Sequence, residues 1–234
     1  VMVARGDLGV EIPLEEVPRL QKAIIEKCNR LGKPVITATQ MLDSMIRNPR
    51  PTRAEVSDVA NAIFDGTDAI MLSGETAIGE YPMESVLTMA RIAEYTESKL
   101  KYSDMLRKRA EFSTNSPTDA IGYATCEIAQ RLGAKAIITS TQSGYTARMV
   151  AKYRPSQPII AVTPDERIQR RLLMLWGVSP IFTKIYNTTD EMIDASVQAS
   201  LNAGLIRKGD TVILTGGIPV GIGGTTNFLK VHQV

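Results

Sequence analysis

Short apolar runs alternate with longer amphipathic stretches along this chain, and three of the early runs end in a small polar cluster. The clusters are A-R-G-D ending at Asp7, T-A-T-Q containing Thr39 and S-G-E-T beginning at Ser73, so these residues lie 32 and 34 positions apart. That interval fits one strand followed by one helix. The pattern therefore predicts parallel strands whose polar clusters share one edge of a sheet, where the active sites of parallel α/β folds are built.

The first half is predicted to consist of three such strand-helix units. Thr52 and Glu55 have the spacing of a capping box, in which each side chain satisfies a free backbone amide at the start of a helix. An apolar face at helical spacing supports the first long helix. The expected elements are strands at 1–4, 34–38 and 69–72 and helices at 15–31 (apolar face Val17, Leu20, Ile24 and Leu31), 53–65 and 82 to about 100.

The second half restarts the alternation after a polar segment at 113–116. Ser116 is expected to cap a helix that begins at Pro117, and the domain boundary is placed near Ala110, giving domains 1–109 and 110–234. Right-handed crossovers then predict a three-layer α/β domain with a mostly parallel sheet. Its expected elements are helices at 119–132, 146–153, 166–176 and 188–204, the last opening on a second capping box (Thr188 and Glu191), and strands at 136–140, 159–162, 181–184, 211–214 and 228–232.

Composition narrows the classes of function. A hydrophobic content of 44% and a net charge of +2, without a dense basic stripe, are typical of a globular protein that does not bind nucleic acid. No apolar run reaches the roughly 18 residues that a membrane span needs. The only histidine is His232, which excludes histidine-based triads and zinc sites, and the isolated Cys28 and Cys126 favour a reducing, cytoplasmic compartment.

Several long, ungapped stretches of the chain resemble pyruvate kinases of the bacterial type, and the resemblance extends over essentially all of it. The stretches are M-V-A-R-G-D-L-G-V-E at 2–11, I-T-A-T-Q-M-L-D-S-M at 36–45, R-P-T-R-A-E at 50–55, I-M-L-S-G-E-T-A at 70–77, S-T-Q-S-G-Y-T-A at 140–147 and the glycine-rich 216–224.

The resemblance implies that the chain enters its fold in the middle. Residues 1–109 would be the last three strands of a (β/α)8 TIM barrel with a connecting helix, and residues 110–234 the carboxyl-terminal allosteric domain. The earlier barrel strands, the lid domain, the catalytic lysine and a metal-sharing glutamate would then be absent.

The resemblance also implies roles for the polar clusters. Gly6, Asp7, Thr39 and Arg53 would bind substrate, with Asp7 also a ligand of Mg²⁺ (or Mn²⁺), an ion that prefers oxygen ligands. Thr39, Ser73 and Glu75 would be catalytic: Thr39 would lie near the carbon that is protonated, with Ser73 and Glu75 polarising a relay water.

Structural explanations for these residues remain open beside the functional ones. Asp7 could cap a turn, Thr39 could be an ordinary strand threonine, and Ser73 with Glu75 could stabilise a tight turn. Arg53 could be a solvated charge beside a loop; the resemblance instead places this loop at a neighbouring subunit's active site.

In the second domain, a hydroxyl-rich loop resembles the family's effector-phosphate pocket. Its residues are Thr141, Gln142, Ser143, Gly144 and Thr146, with amides around Gly144 leading into a helix. The alternative is an ordinary loop after a strand. Ala203 is taken to stand where bisphosphate-activated members carry an arginine, and 216–224 lacks their Trp and Arg. A monophosphate such as AMP or ribose 5-phosphate is therefore expected rather than a sugar bisphosphate.

The function implied by the resemblance is the last step of glycolysis, phosphoryl transfer from phosphoenolpyruvate to ADP giving pyruvate and ATP. Mg²⁺ and K⁺ would be cofactors, and the enzyme would be a cytoplasmic homo-oligomer, with a tetramer expected. The alternative is that this chain by itself is a non-catalytic phosphate-binding and oligomerisation module of that enzyme.

Overall fold

The chain folds into two units of different architecture. The computed structural model describes residues 1–112, 116–220 and 224–234, and these divide into Val1–Leu100 and Lys101–Val234. In the described part, no helix combines the length and apolar character needed to cross a membrane.

The first unit contains a three-stranded parallel sheet in the order β1-β2-β3. Ala4 pairs with Ala38, and Ala38 pairs with Met71, so the three carboxyl ends lie level at one edge. Its elements are β1 (Met2–Ala4), α1 (Arg5–Glu11), α2 (Val17–Arg30), β2 (Ile36–Ala38), α3 (Arg53–Asp65), β3 (Ala69–Met71), α4 (Gly74–Ala77) and α5 (Pro82–Glu97), with 3₁₀ turns at Leu14–Glu16 and Asp43–Ile46.

Two features of the first unit differ from the sequence prediction. The chain turns into helix α1 directly after β1, so Asp7 lies on a helix and not in a strand-end loop. The buried side of α2 is formed by Ile25 and Cys28, which pack with Val3 and Val35, whereas Leu31 is exposed. Helix α2 ends at Arg30, so Leu31 lies beyond its last turn and outside the packed stripe.

Helix α3 begins and ends as predicted. Thr52 and Glu55 form both halves of the capping box, and Gly66 closes the helix in the left-handed conformation that glycine adopts without a steric penalty. The capping box holds the Glu55 carboxylate beside Ser44 of the segment after β2.

The second unit is a five-stranded sheet in the order β6-β5-β4-β7-β8, parallel except for the β7–β8 pair. This confirms the predicted α/β class with a mostly parallel sheet. Its elements are α6 (Tyr102–Arg109), a 3₁₀ turn at Ala110–Phe112, α7 (Pro117–Arg131), β4 (Ala136–Ser140), α8 (Tyr145–Ala151), β5 (Ile159–Thr163), α9 (Glu166–Leu172), β6 (Val178–Phe182), α10 (Thr189–Asn202), β7 (Thr211–Gly216) and β8 (Phe228–Gln233).

Side chains on both faces of this sheet are buried against helices. The unit therefore has three layers, with the sheet between two layers of helices. Ile137 packs with Cys126 of α7 and Val150 of α8, whereas the next residue, Ile138, packs with Met192 of α10 on the other face. Because successive strand residues point to opposite faces, near-continuous apolar strands such as β4 are required here.

The start of the second unit lies earlier than the predicted domain boundary at Ala110. Helix α6 belongs to this unit, and its Arg109 donates a 2.5 Å hydrogen bond to the carbonyl of Lys152. Of the predicted linker, 113–115 lie outside the described residues. Ser116 caps α7, with Pro117 in its first turn. The assignment of residues 1–109 and 110–234 as family domains stays a prediction.

Helix α10 is capped by Thr188, which accepts from the amide of Glu191 at 3.2 Å. The Glu191 carboxylate accepts from the amide of Asn187, one residue before the cap, at 2.9 Å. One half of the second predicted capping box, from the Glu191 amide to the Thr188 hydroxyl, is therefore present. In the other half, the Glu191 carboxylate binds the amide of Asn187 and not that of Thr188.

Candidate functional site

The ends of β1 and β2 are joined by Gly6 and Thr39. The Gly6 amide donates to the Thr39 hydroxyl at 2.9 Å, and that hydroxyl donates to the carbonyl of Ala38 at 2.6 Å. A Cβ atom on Gly6 would lie 3.7 Å from the Thr39 hydroxyl, an ordinary contact. Packing against Thr39 therefore does not by itself require glycine at position 6.

The backbone after β2 is held in an unfavourable conformation. Thr39 has φ 68° and Gln40 has φ 53°, two consecutive residues in the left-handed region although neither is glycine. Each such residue costs on the order of 1–3 kcal/mol and persists only where surrounding contacts fix it, often at functional sites. Here the contacts come from Arg5, Glu75 and Glu55.

Arg5 fixes the carbonyl groups of this segment. Its guanidinium donates to the carbonyls of Ala38 (3.2 Å) and Thr39 (2.5 Å), and to both carboxylate oxygens of Asp58 at 2.7 and 2.6 Å. The Arg5 side chain is 11% exposed. Both contacts to Asp58 come from one nitrogen, Nη1, while the other two nitrogens bind the carbonyls, so Asp58 of α3 holds Arg5 and Arg5 holds the strand end.

Glu75 is buried between the loop after β2 and the end of β3. It is 1% exposed, and its two carboxyl oxygens accept from the amides of Leu42 at 3.0 Å and Ser73 at 2.7 Å. It thus joins the loop after β2 to the end of β3. The role of Glu75 and Ser73 in polarising a water stays a prediction.

Glu55 fixes the same loop from the side of α3. It accepts from the amide (2.7 Å) and hydroxyl (2.6 Å) of Ser44 as well as from Thr52. Partial burial alone would raise the pKa of Glu55, but these hydrogen bonds from Ser44 and Thr52 outweigh it and lower the pKa overall.

Asp7 is exposed in the first turn of α1, and no hydrogen bond or ion pair occupies its carboxylate within the described residues. A free carboxylate suits one position in the oxygen shell of a hard cation. Among the described residues, no cluster of three or more His, Cys, Asp or Glu could hold a metal ion. The described residues therefore offer one carboxylate for such a shell, and Asp7 as a ligand of Mg²⁺ stays a prediction.

Arg53 lies in the first turn of α3, with its side chain exposed. No hydrogen bond or ion pair of Arg53 is present within the described part of the chain. The contacts just described connect Gly6 with Thr39 and Ser73 with Glu75, and they do not connect Arg53 or Asp7 to that group.

In the second unit, four of the five residues predicted to bind an effector phosphate line one cleft. They are Thr141, Gln142, Ser143 and Thr146. Gly144, the fifth, precedes α8 with φ 77°. A side chain there would also meet Leu172 at 3.1 Å, so glycine is needed for the turn.

Not all hydroxyls of the cleft are equally available. Thr146 is 3% exposed and shares a 3.0 Å hydrogen bond with Thr226, whereas Gln142 and Ser143 are exposed. Ser143 and Gln142 are therefore the groups that an incoming anion meets first.

Tyr186, which the sequence analysis did not identify, forms another wall of the cleft. Its phenol hydrogen-bonds to the hydroxyl of Ser140. Burial raises the pKa of Tyr186, and the hydrogen bond with Ser140 offsets part of that rise. Tyr186 follows β6 in a segment with no motif, so only the fold brings it to Ser140.

Ala203 is not among the described residues that line the cleft, and its correspondence to an arginine of bisphosphate-activated members stays a prediction. Met192 lines the cleft near the start of α10, whereas Ala203 is exposed just beyond the end of that helix. A helical rise of 1.5 Å per residue separates them by about 16 Å. The absence of a cation near the cleft is better judged from its described lining, which contains no lysine or arginine.

The glycine-rich loop at 216–224 contributes to the same cleft. Gly217 and Gly224 line it, while 221–223 lie outside the described residues. A Cβ atom on Gly217 would meet the carbonyl oxygen of Thr225 at 2.5 Å, so only glycine fits at this crossing.

Sequence reasoning missed Asp58 and Ser44 as well as Tyr186. The capping-box motif identified Glu55 but gave no sign that its carboxylate also reaches Ser44. Asp58 looks like an ordinary charge on an exposed helix face, and only the alignment of α3 with the strand ends gives it a role.

Comparison with known proteins gives matches over both units. A family profile described as pyruvate kinase, barrel domain, matches residues 1–86, and one described as pyruvate kinase, alpha/beta domain, matches residues 119–232. Proteins named pyruvate kinase from Clostridium acetobutylicum and Geobacillus stearothermophilus are 58% and 60% identical to the chain over 234 residues.

The similarity extends to three-dimensional structure. A crystal structure of a pyruvate kinase from Cryptosporidium parvum matches with a TM-score of 0.91 at 41% sequence identity, covering 99% of this chain and 46% of that one. The two bacterial relatives are covered over 50% and 40% of their lengths. The chain thus spans half or less of the proteins it matches.

Proposed function

Since the chain belongs to the pyruvate kinase family, we propose that it is the carboxyl-terminal part of an enzyme that transfers the phosphoryl group of phosphoenolpyruvate to ADP and protonates the resulting enolate to pyruvate. The observation that carries the proposal is the contact between Gly6 and Thr39 at the level carboxyl ends of parallel strands. In α/β barrels, this edge is where catalytic groups converge.

Asp7 and Thr39 each have a role in the proposed reaction. Asp7 supplies one carboxylate ligand to Mg²⁺, which neutralises charge on the phosphoryl group and substrate when bound. Thr39 presents its hydroxyl where the methylene carbon of the enolate receives a proton. A threonine hydroxyl is too weak an acid to release that proton unaided, so an ordered water bound to it is the proposed donor.

We propose that the cleft of the second unit binds the phosphate of an allosteric effector. Hydroxyl and amide groups supply hydrogen bonds to one phosphate, and the described lining contains no cation for a second. A monophosphate such as AMP or ribose 5-phosphate therefore fits the cleft better than a sugar bisphosphate.

We also propose that the whole enzyme is a homotetramer in the cytoplasm, with K⁺ as a second cofactor. Arg53 supports the assembly part of this proposal, because its guanidinium is exposed and unpaired in the described structure. It is therefore available to a neighbouring subunit's site. Light scattering on the full-length protein would test the tetramer.

The second candidate function is a phosphate-binding and oligomerisation module without catalysis. The observation that favours it is that the effector cleft is built entirely from residues of the second unit. It requires no part of the first unit to bind phosphate.

An assay of pyruvate formation separates the two candidates. The full-length protein that contains this chain should convert phosphoenolpyruvate and ADP in the presence of Mg²⁺ and K⁺. The mass-verified 234-residue chain should bind a monophosphate without turnover. Turnover by the 234-residue chain would contradict its assignment as inactive, and an inactive full-length protein would contradict the enzyme proposal.

A further inference from the structure

The geometry of Glu75 conflicts with a role in carrying protons. At 1% exposure, its carboxyl group has no open contact with solvent, and each oxygen already accepts from a backbone amide. Backbone amides do not release protons at neutral pH. The partners of Glu75 can therefore fix its position but cannot pass a proton through it.

The two backbone amides bound by Glu75 lie in the two loops that carry Thr39 and Ser73. Leu42 is fully buried and follows Thr39 by three residues, at the end of the segment that starts with two left-handed residues. Ser73 is the first residue of the polar cluster after β3, and its own backbone angles, φ −121° and ψ −99°, are unusual. Glu75 therefore ties together the loops that carry both hydroxyls of the predicted site.

The loop after β2 is held from several directions. Its carbonyls at Ala38 and Thr39 bind Arg5, while its amides at Leu42 and Ser44 bind Glu75 and Glu55. Glu75 joins this loop to Ser73 at the end of β3, and further along the same loop the carbonyl of Ile46 accepts from the amide of Glu80 at 2.9 Å. Removing the Glu75 carboxylate would leave Thr39 attached to β1 through Gly6 but would break the direct link between Leu42 and Ser73.

We propose that Glu75 is a positioning residue, which sets the Thr39 hydroxyl for protonation of the enolate through the amides of Leu42 and Ser73. This inference rests on the proposed function. It is an alternative to the predicted role of Glu75 in polarising a water. It also predicts that a carboxyl group is needed for its two acceptor oxygens and not for its proton.

Two substitutions test the acceptor geometry. Glu75→Gln keeps the length and volume of the side chain but presents an NH₂ group to one of the two amides, so one hydrogen bond is lost. Glu75→Asp keeps both oxygens but is one methylene shorter, so it cannot reach both amides at once. Glu80→Gln is the matched control, because Glu80 is exposed and its carboxylate has no partner in the described structure.

The experiment uses the full-length protein and three readouts. These are the pH profile of kcat, the KM for phosphoenolpyruvate, and the rate at which solvent deuterium enters the methyl group of pyruvate in the presence of ATP and Mg²⁺. Deuterium entry reports proton transfer at the carbon, whereas kcat also includes phosphoryl transfer.

For Glu75→Gln we expect deuterium entry to fall by about 10-fold, more than kcat, with KM within about twofold and the shape of the pH profile unchanged. Glu75→Asp should show the same pattern, and Glu80→Gln should match wild type. Loss of one limb of the pH profile in Glu75→Gln would overturn the proposal, since it would show that Glu75 itself titrates in the reaction.

Two further outcomes are distinguishable from these. An equal fall in kcat and deuterium entry, together with a lower melting temperature, would reduce Glu75 to a structural residue and overturn its role for Thr39. Wild-type protein without activity would overturn the proposed function itself. Amide hydrogen exchange at Leu42 and Ser73 should become faster in Glu75→Gln. This measurement tests the two hydrogen bonds of Glu75 whether or not the protein is active.

Discussion

The Gly6 amide donates a 2.9 Å hydrogen bond to the Thr39 hydroxyl, which joins two polar clusters more than thirty residues apart in the sequence. Because that hydroxyl also donates to the carbonyl of Ala38, its proton already has a partner. A water or substrate group at this site would therefore meet an oxygen whose orientation is fixed by the fold.

Thr39→Val in the full-length protein should slow protonation of the enolate far more than it weakens substrate binding. We expect a fall on the order of 10²-fold in deuterium entry into pyruvate, with KM for phosphoenolpyruvate within about threefold. Thr39→Ser keeps the hydroxyl and is the control, with a fall below about tenfold. Equal falls in the two variants would contradict a role for the hydroxyl.

The same Thr39→Val substitution should lower stability, because the partly buried Gly6 amide loses its acceptor. The expected cost is about 1–3 kcal/mol in the free energy of unfolding. Valine is β-branched like threonine, so the strain of a positive φ is the same in both and does not contribute to the difference. Denaturant titration of both variants would measure it, and Thr39→Ser should stay close to wild type.

Asp7→Asn should weaken the use of Mg²⁺ and of substrate together, because one formal charge leaves the metal's oxygen shell. We expect the Mg²⁺ concentration for half-maximal activity to rise by at least about tenfold, with KM for phosphoenolpyruvate rising in parallel. Glu11→Gln, an exposed residue on the same helix, serves as control. An unchanged Mg²⁺ dependence in Asp7→Asn would show that Asp7 is not a ligand.

Ser143→Ala should raise the concentration of monophosphate needed for activation. A hydrogen bond to a charged group contributes about 1.5–3 kcal/mol, which corresponds to a rise on the order of 10- to 100-fold. The measurement is a titration of AMP, ribose 5-phosphate and fructose 1,6-bisphosphate against the full-length enzyme at limiting phosphoenolpyruvate. Ser156→Ala, an exposed serine that does not line the cleft, should leave the titration unchanged. Activation by the bisphosphate alone would contradict the one-phosphate assignment.

The lowered pKa of Glu55 predicts that the first unit loses folding stability at acid pH. Its pKa is lowered from an ordinary value of 4.5, despite the opposing effect of burial, by hydrogen bonds from Ser44 and Thr52. A lowered pKa in the folded state means that the stabilisation is present above the unfolded pKa and is lost as the pH falls through the folded one. Wild type should therefore lose stability as the pH falls below about 4.5.

Glu55→Gln should be less stable than wild type near pH 7, by about 0.5–2 kcal/mol as for loss of a helix cap, and should lack part of the acid-side decline. Urea titrations between pH 7 and pH 3 would measure both effects. Parallel stability curves for wild type and Glu55→Gln over that range would contradict the lowered pKa.

The sequence by itself determined the order and type of most elements. The Thr52–Glu55 capping box gave the start of α3, the Ser116-Pro117 pair gave the start of α7, and the apolar run at 136–140 gave β4 with the same limits as the structure. These are local signals, in which the deciding hydrogen bonds or side-chain faces lie within a few residues. The polar clusters at the strand ends, and the hydroxyl-rich loop that lines the cleft, were likewise readable from spacing and residue type.

Only the tertiary structure decided which partners those residues meet. Helix α1 after Ala4, the contact of Arg5 with Asp58, the two amides bound by Glu75 and the approach of Tyr186 to Ser140 all depend on residues far apart in sequence or on a turn without a motif. Local propensity sets a helix or a strand, but the position of a side chain in a site depends on how whole elements pack, and that packing is fixed by burial of apolar surface across the fold.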